Sequence, residues 1–441
     1  MAAPSDTAAR PTRAYVIHPD LGDARARRTP ELALEEAVAL AHALPAIEVV
    51  GAEVVRLRNP DPGMLFSRGK RDEVAQHLRE AAGGEGAELV LIDGPVSPVQ
   101  QRNLEKEWGV KILDRTGLIL EIFADRAHTR EGVLQVELAA LAYQRTRLVR
   151  AWTHLERQRG GLGFVGGPGE TQIEADRRAI DEQMVRLRRQ LDRVVRTREL
   201  HRKARAKVPY PVVALVGYTN AGKSTLFNRL TGAGVTARDQ LFATLDPTMR
   251  QLVLPGGRRV ILSDTVGFIS ELPPELVAAF RATLEEVLAA DLILHVRDIS
   301  HPETEEQAED VGEILESLGV AEDVPLIEVW NKIDALAPET RAALRRTDAR
   351  TRGVQAISAL TGEGIDDLLA AIDERLAEAL DAPRDEAELV LAPEDGRRRA
   401  WLHAQGVVQS ERIDDQGVRL KLSWTRRQQD AFAALPPPPP G

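Results

Sequence analysis

The stretch PVVALVGYTNAGKSTLFNRL, residues 211–230, decides the fold. Its apolar run up to Gly217 predicts a buried strand, and the segment that follows Gly222 predicts a helix. The loop Gly217–Thr225 fits G-x-x-x-x-G-K-[ST] at this strand-to-helix junction. Such a loop turns backbone amides and the positive end of a helix dipole toward phosphate oxygens. We therefore expect a polyphosphate here, with Lys223 on its β- and γ-phosphates and the Ser224 hydroxyl on Mg²⁺.

A tetrapeptide after a later strand predicts which base is bound. NKID, Asn331–Asp334, ends the run PLIEVWN, at the sheet edge where ligands bind in open α/β folds. The Asp334 carboxylate can accept from N1–H and the exocyclic amine of guanine, and Asn331 can contact the base edge. Adenine lacks this donor pair, and such a mismatch can reject an analogue by roughly 10⁴-fold. Backbone amides of SAL, Ser358–Leu360, are expected to face the guanine oxygen.

Two further segments are expected at the phosphates and the metal. DTVG, Asp264–Gly267, follows the run RRVILSD, so Asp264 should hold Mg²⁺ through water and the Gly267 amide should contact the γ-phosphate. FATLDPT lies between the phosphate-loop helix and that strand, and one of its hydroxyls should complete the metal shell. Its position in the loop favours Thr244 over Thr248.

The predicted catalytic residues are Lys223, Thr244 and Gly267. The predicted GTP-binding residues are Gly217, Tyr218, Thr219, Asn220, Ala221, Gly222, Lys223, Ser224, Thr225, Phe242, Ala243, Thr244, Leu245, Asp246, Asp264, Thr265, Val266, Gly267, Asn331, Lys332, Ile333, Asp334, Ser358, Ala359 and Leu360.

Composition restricts the remaining classes of function. The chain has 441 residues, no cysteine, 43% hydrophobic and 29% charged residues, values of a folded soluble protein. Without cysteine, a disulfide framework and a thiolate zinc site are both excluded. No run approaches the roughly 20 apolar residues that cross a bilayer. The N-terminus lacks the apolar core of a signal peptide, so we expect a cytoplasmic protein.

The pattern of apolar runs divides the chain into α/β, helical and β-rich parts. Strand-like and helix-like segments alternate in two regions, which predicts two parallel α/β domains. Near the end, AWLHAQGVV and GVRLKLSW predict strands. The predicted segments are a disordered lead-in (1–13), a small α/β domain (14–128), a helical hairpin (129–207), a nucleotide-binding domain with a parallel sheet (208–382), a small β-rich domain (383–435) and a proline-rich tail (436–441).

The hairpin region is basic on an acidic chain. Leucine-rich positions spaced four and three apart predict one apolar seam on each of two helices, with Arg145 at one seam position. The glycine-rich Gly160–Glu170 between them predicts a non-helical tip loop. Between Tyr143 and Lys207, 17 Lys and Arg stand against 8 Asp and Glu, a balance of +9 where the whole chain has −10. Such a surface predicts a phosphate-rich partner.

The motifs GYTNAGKST, FATLD, DTVGFI, NKID and SAL, in this order, resemble the five signatures of a translation-factor-class GTPase. The domain order and the block GGLGFVGGPGETQIEADRR resemble the HflX family over nearly the whole chain. The resemblance implies a monomeric cytoplasmic GTPase that binds GTP or GDP and the large ribosomal subunit. It further implies that the protein splits stalled or idle ribosomes, notably after heat stress.

Two residues near the phosphate loop bear on the mechanism, and five others are candidate contacts with RNA. Phe268 stands where Ras-like enzymes carry the glutamine that orients water, so hydrolysis should be slow without a partner. Asn220 matches an asparagine that some related GTPases use with K⁺, although it can equally be a turn residue. The residues predicted to contact ribosomal RNA, against the alternative of a merely solvated helix face, are Arg157, Arg159, Phe164, Arg177 and Arg178.

Other functions remain open from the sequence. An RNA-remodelling nucleotidase with a second ATP site in the N-terminal domain would keep its ATPase activity when Asp334 is changed. A ribosome-assembly GTPase would share every motif described above. A lipid-associated signalling GTPase would use the basic hairpin on anionic membranes, but no lipidation signal or exposed apolar face supports it.

Overall fold

The computed structural model describes most of the chain, with gaps between the following residues. The described residues are 10–22, 28–158, 168–205, 210–232, 241–242, 244–245, 248–270, 287–320, 324–348, 353–380, 384–392, 395–404, 406–414, 417–425, 429, 432–433 and 435. The proline-rich tail and most of the expected lead-in lie outside them. In the described residues no helix is both long and apolar enough to cross a membrane.

The N-terminal domain is the predicted parallel α/β unit. Its four parallel strands have the spatial order β2-β1-β3-β4. Its elements are β1 (Thr12–Asp20), α1 (Pro30–His42), β2 (Ile47–Arg56), α2 (Arg68–Glu80), β3 (Leu89–Ile92), α3 (Pro98–Trp108), β4 (Lys111–Asp114) and α4 (Arg115–Arg126). Because β1 begins at Thr12, the sheet takes in the last two residues of the expected lead-in. A reciprocal capping box of Ser97 and Gln100 fixes the start of α3.

Two long helices follow, α5 (Arg130–Gln158) and α6 (Pro168–Arg205). They pack through Leu134, Leu141, Met184 and Leu187, which form one buried apolar cluster, as the seams predicted. Arg145, the polar residue in the first seam, pairs with Asp181 of the other helix at 2.7 Å. The second helix begins inside the glycine-rich block, because Pro168 suits the first turn of a helix.

The nucleotide-binding domain has a six-stranded sheet in the order β10-β9-β8-β5-β7-β6. Five strands are parallel as predicted, and β6 is antiparallel to β7, a hairpin that the apolar pattern did not predict. Its elements are β5 (Val212–Gly217), α7 (Lys223–Thr231), β6 (Thr248–Val253), β7 (Arg259–Asp264), β8 (Leu292–Asp298), α8 (Thr304–Leu318), β9 (Leu326–Asn331), α9 (Pro338–Asp348), β10 (Val354–Ala356) and α10 (Ile365–Leu380).

The C-terminal domain is a small antiparallel sheet in the order β11-β13-β12. Its elements are β11 (Arg384–Leu391), α11 (Gly396–Ala404), β12 (Val408–Asp414) and β13 (Gly417–Thr425). The prediction that AWLHAQGVV is a strand was wrong for its first half, because Trp401 and Leu402 lie in α11. Leu402 is fully buried there against the sheet, so packing of one helix face explains an apolar run that resembled a strand.

The two α/β domains share one apolar core. A continuous cluster of buried side chains runs from α4 in the N-terminal domain to the phosphate loop and the segment after β7. Phe123 of α4 packs edge-to-face on Phe242, with ring centroids 4.7 Å apart. The phosphate-loop side of the nucleotide-binding domain is therefore the side that faces the N-terminal domain.

Candidate functional site: a phosphate loop at the domain junction

The loop between β5 and α7 is shaped by glycines at close backbone approaches. Gly217 has φ 151°, and a Cβ there would lie 2.1 Å from the Val296 carbonyl oxygen. Gly222 has φ 92°, and its Cβ would lie 2.2 Å from Nδ2 of Asn331. Only glycine fits such positions without moving a neighbour. Asn220, at the exposed tip of the loop, has the left-handed φ of 59° that asparagine tolerates.

Lys223 points back into the loop. Its Nζ donates to the carbonyl oxygens of Gly217 at 3.0 Å and Tyr218 at 2.7 Å. Burial lowers the pKa of Lys223 to about 8, although the charge of Asp264 acts in the opposite direction. His295 of β8 is also buried, and burial lowers its pKa to about 4, so it adds no positive charge near neutral pH. The lysine is thus a cation that gains stability when an anion arrives beside it.

Three oxygen-bearing side chains meet beside the lysine. Oγ of Ser224 lies 2.8 Å from Oδ2 of Asp264 and 2.9 Å from Oγ1 of Thr244, which lies 2.9 Å from the same Oδ2. The other oxygen of Asp264 is buried without a hydrogen-bond partner among the described residues. Burial raises the pKa of Asp264, and its hydrogen bonds offset this only in part. Two hydroxyls and an under-satisfied carboxylate form an all-oxygen donor set, the type that Mg²⁺ prefers. Thr248, the alternative to Thr244, is instead the first residue of β6.

The segment after β7 is bound to the phosphate loop by its backbone. Thr219 N donates to the Phe268 carbonyl at 2.7 Å, and Phe268 N donates to the Gly217 carbonyl at 3.1 Å. A Cβ on Gly267 would lie 3.0 Å from Lys223 Nζ, so this glycine passes directly over the lysine. The ring of Phe268 is 1% exposed and points into the shared core. It therefore offers no group to a water molecule in the site.

Two neighbours of Gly267 have structural contacts. The Thr265 hydroxyl donates to the Leu215 carbonyl at 2.6 Å and ties β7 to β5, and Val266 is buried in the shared core. The hydroxyl of Thr219, in contrast, is buried without a partner among the described residues.

At the base-recognition edge, Asn331 links the two loops that flank it. Its Nδ2 donates to the Ala221 carbonyl at 2.8 Å, and its Oδ1 accepts from the Ala359 amide at 2.9 Å. The Ala359 amide, one of the SAL amides expected to face the base, is thus bonded to Asn331 in this arrangement. Asp334 is partly exposed, and neither a hydrogen bond nor an ion pair joins it to another described residue. Its carboxylate is available to a ligand.

Some of the remaining predicted residues have described contacts, and others lie outside the described residues. Lys332 pairs with Asp298 at 2.7 Å, and Ile333 is fully buried. Ser358 is buried and its Oγ accepts from the Thr361 amide, while Leu360 is 69% exposed beside the pocket. Phe242 and Leu245 are buried in the shared core. Ala243, Asp246, Arg159, Phe164 and the side chain of Arg157 lie outside the described residues, and Arg177 and Arg178 are exposed on α6.

Sequence reasoning missed the residues of the N-terminal domain that reach this site. The Tyr218 hydroxyl donates to Glu36 of α1 at 2.5 Å, and Arg28 and Arg115 both contact Ser270 beyond Phe268. No local spacing indicates these contacts, because the partners are up to 242 positions apart in the chain.

The sheet order, the glycine-bounded loop and the lysine–hydroxyl–carboxylate arrangement define a P-loop nucleotide-binding protein with an NKID base-recognition edge. Comparison with known families agrees. Matching family models are a GTP-binding GTPase N-terminal region (31–124), a GTP-binding GTPase middle region (126–205), a 50S ribosome-binding GTPase (212–332) and an HflX C-terminal domain (343–434).

Individual relatives match over most of their length. GTPase HflX of Magnetococcus marinus is 51% identical over 362 residues, 82% of this chain and 81% of that protein. GTPase HflX of Escherichia coli is 45% identical over 373 residues, 83% and 85% of the two chains. A crystal structure of a GTP-binding protein from Sulfolobus solfataricus in complex with GDP shares 23% identity, covers 83% and 99%, and has a TM-score of 0.45. The chain belongs to the HflX family of GTPases, enzymes that hydrolyse GTP.

Proposed function

We propose that the protein binds GTP with Mg²⁺ at the phosphate loop and uses hydrolysis to control its affinity for the large ribosomal subunit. Through this cycle it splits stalled or idle ribosomes under stress. The observation that carries the proposal is the meeting of Ser224, Thr244 and Asp264 beside Lys223, since these groups come from three separate segments of the chain.

The phosphates are held by backbone amides and Lys223. The loop from Asn220 to Lys223 opens α7, so the helix dipole and the amides of the first turn favour the negative phosphates. Lys223 then supplies a desolvated positive charge to the β- and γ-phosphates. The backbone at Gly267 passes beside Lys223, so its amide would contact the γ-phosphate.

The donor set of the three oxygen-bearing side chains suits Mg²⁺. Ser224 and Thr244 would ligate the ion through their hydroxyls, and Asp264 would hold it through water. The unsatisfied oxygen of Asp264 supports this assignment, because a hydrated cation would supply the missing donor. When bound, the ion neutralises charge that develops on the β- and γ-phosphates.

Guanine selection is assigned to Asp334, with Asn331 as the link that positions the loops around it. The Asp334 carboxylate has no described partner to compete with the base. Asn331 joins the phosphate loop to SAL, so correct placement of the base and of the phosphates depends on one side chain.

Hydrolysis is proposed to be slow until a partner completes the site. A buried phenyl ring at position 268 cannot orient the attacking water. A group supplied from outside is worth about 10³–10⁵ in rate in such enzymes. K⁺ held near Asn220 is a second source of positive charge. We infer that ribosome binding supplies the missing elements.

The basic hairpin is the proposed contact with ribosomal RNA. Exposed arginines of the second helix include Arg177, Arg178, Arg188 and Arg189. Such a surface neutralises phosphates, so binding should weaken steeply with salt. One matching family is described as a 50S ribosome-binding GTPase, which favours the large subunit as the partner.

Co-sedimentation with purified large subunits tests the nucleotide switch. Binding should be tighter with a non-hydrolysable GTP analogue than with GDP, because only the γ-phosphate would order both the segment of Thr244 and the segment of Gly267. Equal binding of large subunits with the GTP analogue and with GDP would refute control of ribosome affinity by GTP. Loss of light scattering from intact ribosomes then tests splitting, and binding without splitting would favour an assembly role instead.

GTP turnover with and without large subunits tests activation. Turnover should rise at least about 100-fold with subunits, within the range known for groups supplied by a partner. Repeating the assay in sodium and in potassium buffer separates the contribution of Asn220. An Asn220→Ala variant should lose any preference for potassium, and a preference that persists would remove the ion from this residue.

A further inference from the structure

A buried cluster of charged and polar groups joins the N-terminal domain to the nucleotide site. From the N-terminal domain come Arg28, Glu36, Asp93 and Arg115, and from the nucleotide-binding domain come Tyr218, Ser270 and Glu303. At most 16% of any of the five charged side chains is exposed. Two arginines and three carboxylates alternate in space, so each charge has an opposite charge beside it.

Glu36 lies at the centre of this cluster. Its Oε1 accepts from Arg115 at 2.6 Å and from Arg28 at 2.8 Å, and its Oε2 accepts from the Tyr218 hydroxyl at 2.5 Å. Burial opposes ionisation, yet the two arginines hold the pKa of Glu36 below its ordinary value. Glu36 is therefore a fixed anion against the phosphate loop.

The same cluster holds the segment that follows β7. The Ser270 amide donates to the Tyr218 hydroxyl oxygen at 2.9 Å, and Ser270 Oγ accepts from Arg28 at 2.7 Å. Arg115 donates to the Ser270 carbonyl at 3.1 Å, while Asp93 fixes the other side of its guanidinium at 2.6 Å. Ser270 is three residues beyond Gly267, whose amide is assigned to the γ-phosphate. The position of that amide therefore depends on contacts from another domain.

An apolar contact reaches the third nucleotide-facing segment. Phe242, two residues before Thr244, packs on Phe123 of α4 and holds a left-handed φ of 56°. A non-glycine residue in this conformation is strained and needs its surroundings to keep it there. The N-terminal domain thus contacts the phosphate loop, the segment of Thr244 and the segment of Gly267.

We propose that Glu36 is a positioning residue for GTP hydrolysis, which acts through Tyr218 and Ser270 to set the phosphate loop against Gly267. This inference rests on the GTP site proposed above. Domain adhesion alone would not require the contacts to fall on the three segments that face the nucleotide. Since Phe268 cannot orient water, accurate placement of the γ-phosphate contacts carries more of the rate, and small misplacements are costly.

A double-mutant cycle in the full-length protein tests the proposal. Tyr218→Phe removes one hydroxyl and leaves every charge paired, so the fold should persist even if Glu36→Gln proves unstable. Each single variant should lower kcat about 10-fold, a fraction of what a misplacement of 1 Å can cost. The double variant should be no slower than the slower single variant, because both changes break the same link. Affinity for a fluorescent GDP analogue should stay within about twofold, since the phosphate loop itself is intact.

The control removes an ion pair of the N-terminal domain that does not touch the nucleotide-binding domain. Glu107 pairs with Arg71 at 2.9 Å, and Glu107→Gln should leave kcat unchanged. Unchanged kcat in Tyr218→Phe, multiplicative losses in the cycle, or an equal loss in Glu107→Gln would overturn the positioning role. If the parent protein itself neither binds nor hydrolyses GTP, the proposed site fails instead, and the two failures are distinguishable.

Discussion

Nδ2 of Asn331 lies 2.8 Å from the carbonyl oxygen of Ala221, so the base-recognition strand is bonded directly to the phosphate loop. The bond passes beside Gly222, whose missing side chain makes room for it. In the proposed site, the residues that bind the base and those that bind the phosphates would therefore form one unit, and a change at either end should alter binding at the other.

Gly222→Ala should abolish this unit. The new Cβ would lie 2.2 Å from Asn331 Nδ2 in a backbone conformation that side chains avoid. We expect GTP and GDP affinity to fall by at least about 100-fold, the loss of two or more charge-assisted hydrogen bonds. Isothermal titration calorimetry measures the affinity for each nucleotide. Gly232→Ala is the matched control, since Gly232 also has a positive φ of 64° but open space around it. It should cost stability of about 1–2 kcal/mol and leave affinity unchanged.

Ser224→Ala should uncouple nucleotide binding from magnesium. The parent protein should bind GDP at least about 10-fold more weakly after chelation of Mg²⁺, because the ion bridges hydroxyl and phosphate. The variant, which lacks that hydroxyl, should bind weakly with or without the ion. Ser263→Ala, next to Asp264 but with its hydroxyl buried away from the three oxygens, should keep the parent's response. A normal magnesium response in Ser224→Ala would remove Ser224 from the metal shell.

The lowered pKa of Lys223 predicts that GTP affinity depends on pH. Its pKa in the free protein is lowered to about 8 by burial, and a bound phosphate should raise it again. Binding then takes up a proton above about pH 8, so affinity falls as pH rises. At about pH 8.5 only about a quarter of the free protein carries the charge, which predicts a loss of about fourfold relative to pH 7. Calorimetry in two buffers of different ionisation enthalpy measures the proton uptake, and no uptake would contradict a lowered pKa.

The free energy of unfolding of the free protein should also depend on pH through Lys223. Its folded pKa lies below the unfolded value of 10.5, so between the two values the unfolded chain binds more protons. Stability contributed by Lys223 is therefore lowest below about pH 8 and increases toward pH 10. Urea titrations at several pH values should show a smaller rise after Lys223→Met, which removes the titrating group.

Asp334→Asn should change the preferred base. An amide can no longer accept from both guanine donors, so GTP affinity should fall by about 100-fold or more. Xanthosine triphosphate, which carries an oxygen in place of the exocyclic amine, should bind the variant better than it binds the parent. Asp367→Asn, an exposed carboxylate on α10, serves as the control and should change neither affinity. ATP hydrolysis that survives in Asp334→Asn would instead reveal a separate nucleotide site.

Local motifs predicted the fold class because the sequence signal of each structural element lies within a few neighbouring residues. The strand–loop–helix around Gly217, the four-three seams of the hairpin and the parallel alternation depend on short-range spacing, and these elements are confirmed. The antiparallel β6 was missed because this largely exposed edge strand has no alternating pattern of apolar and polar residues. The first half of AWLHAQGVV was misassigned because an apolar helix face and a short strand look alike in sequence.

The junction with the N-terminal domain was beyond reach for a different reason. Glu36 and Tyr218 are 182 positions apart, and nothing in the spacing of either marks a partner. A glutamate on an amphipathic helix normally faces solvent. It can be predicted to be buried only when the residues that carry the opposite charges are known to lie beside it. The same holds for Asn331, whose expected contact with the base edge gave no hint of its bonds to Ala221 and Ala359.

The buried ring at position 268 also limits how this enzyme can change over evolution. A glutamine there would carry an amide into an apolar interior shared by two domains, which costs free energy unless new partners appear. A substitution of Phe268 by glutamine would therefore weaken the packing between the two domains before it could accelerate GTP hydrolysis. Selection for a faster intrinsic rate would have to act on other positions, and the proposed dependence on an outside activator would follow from the architecture.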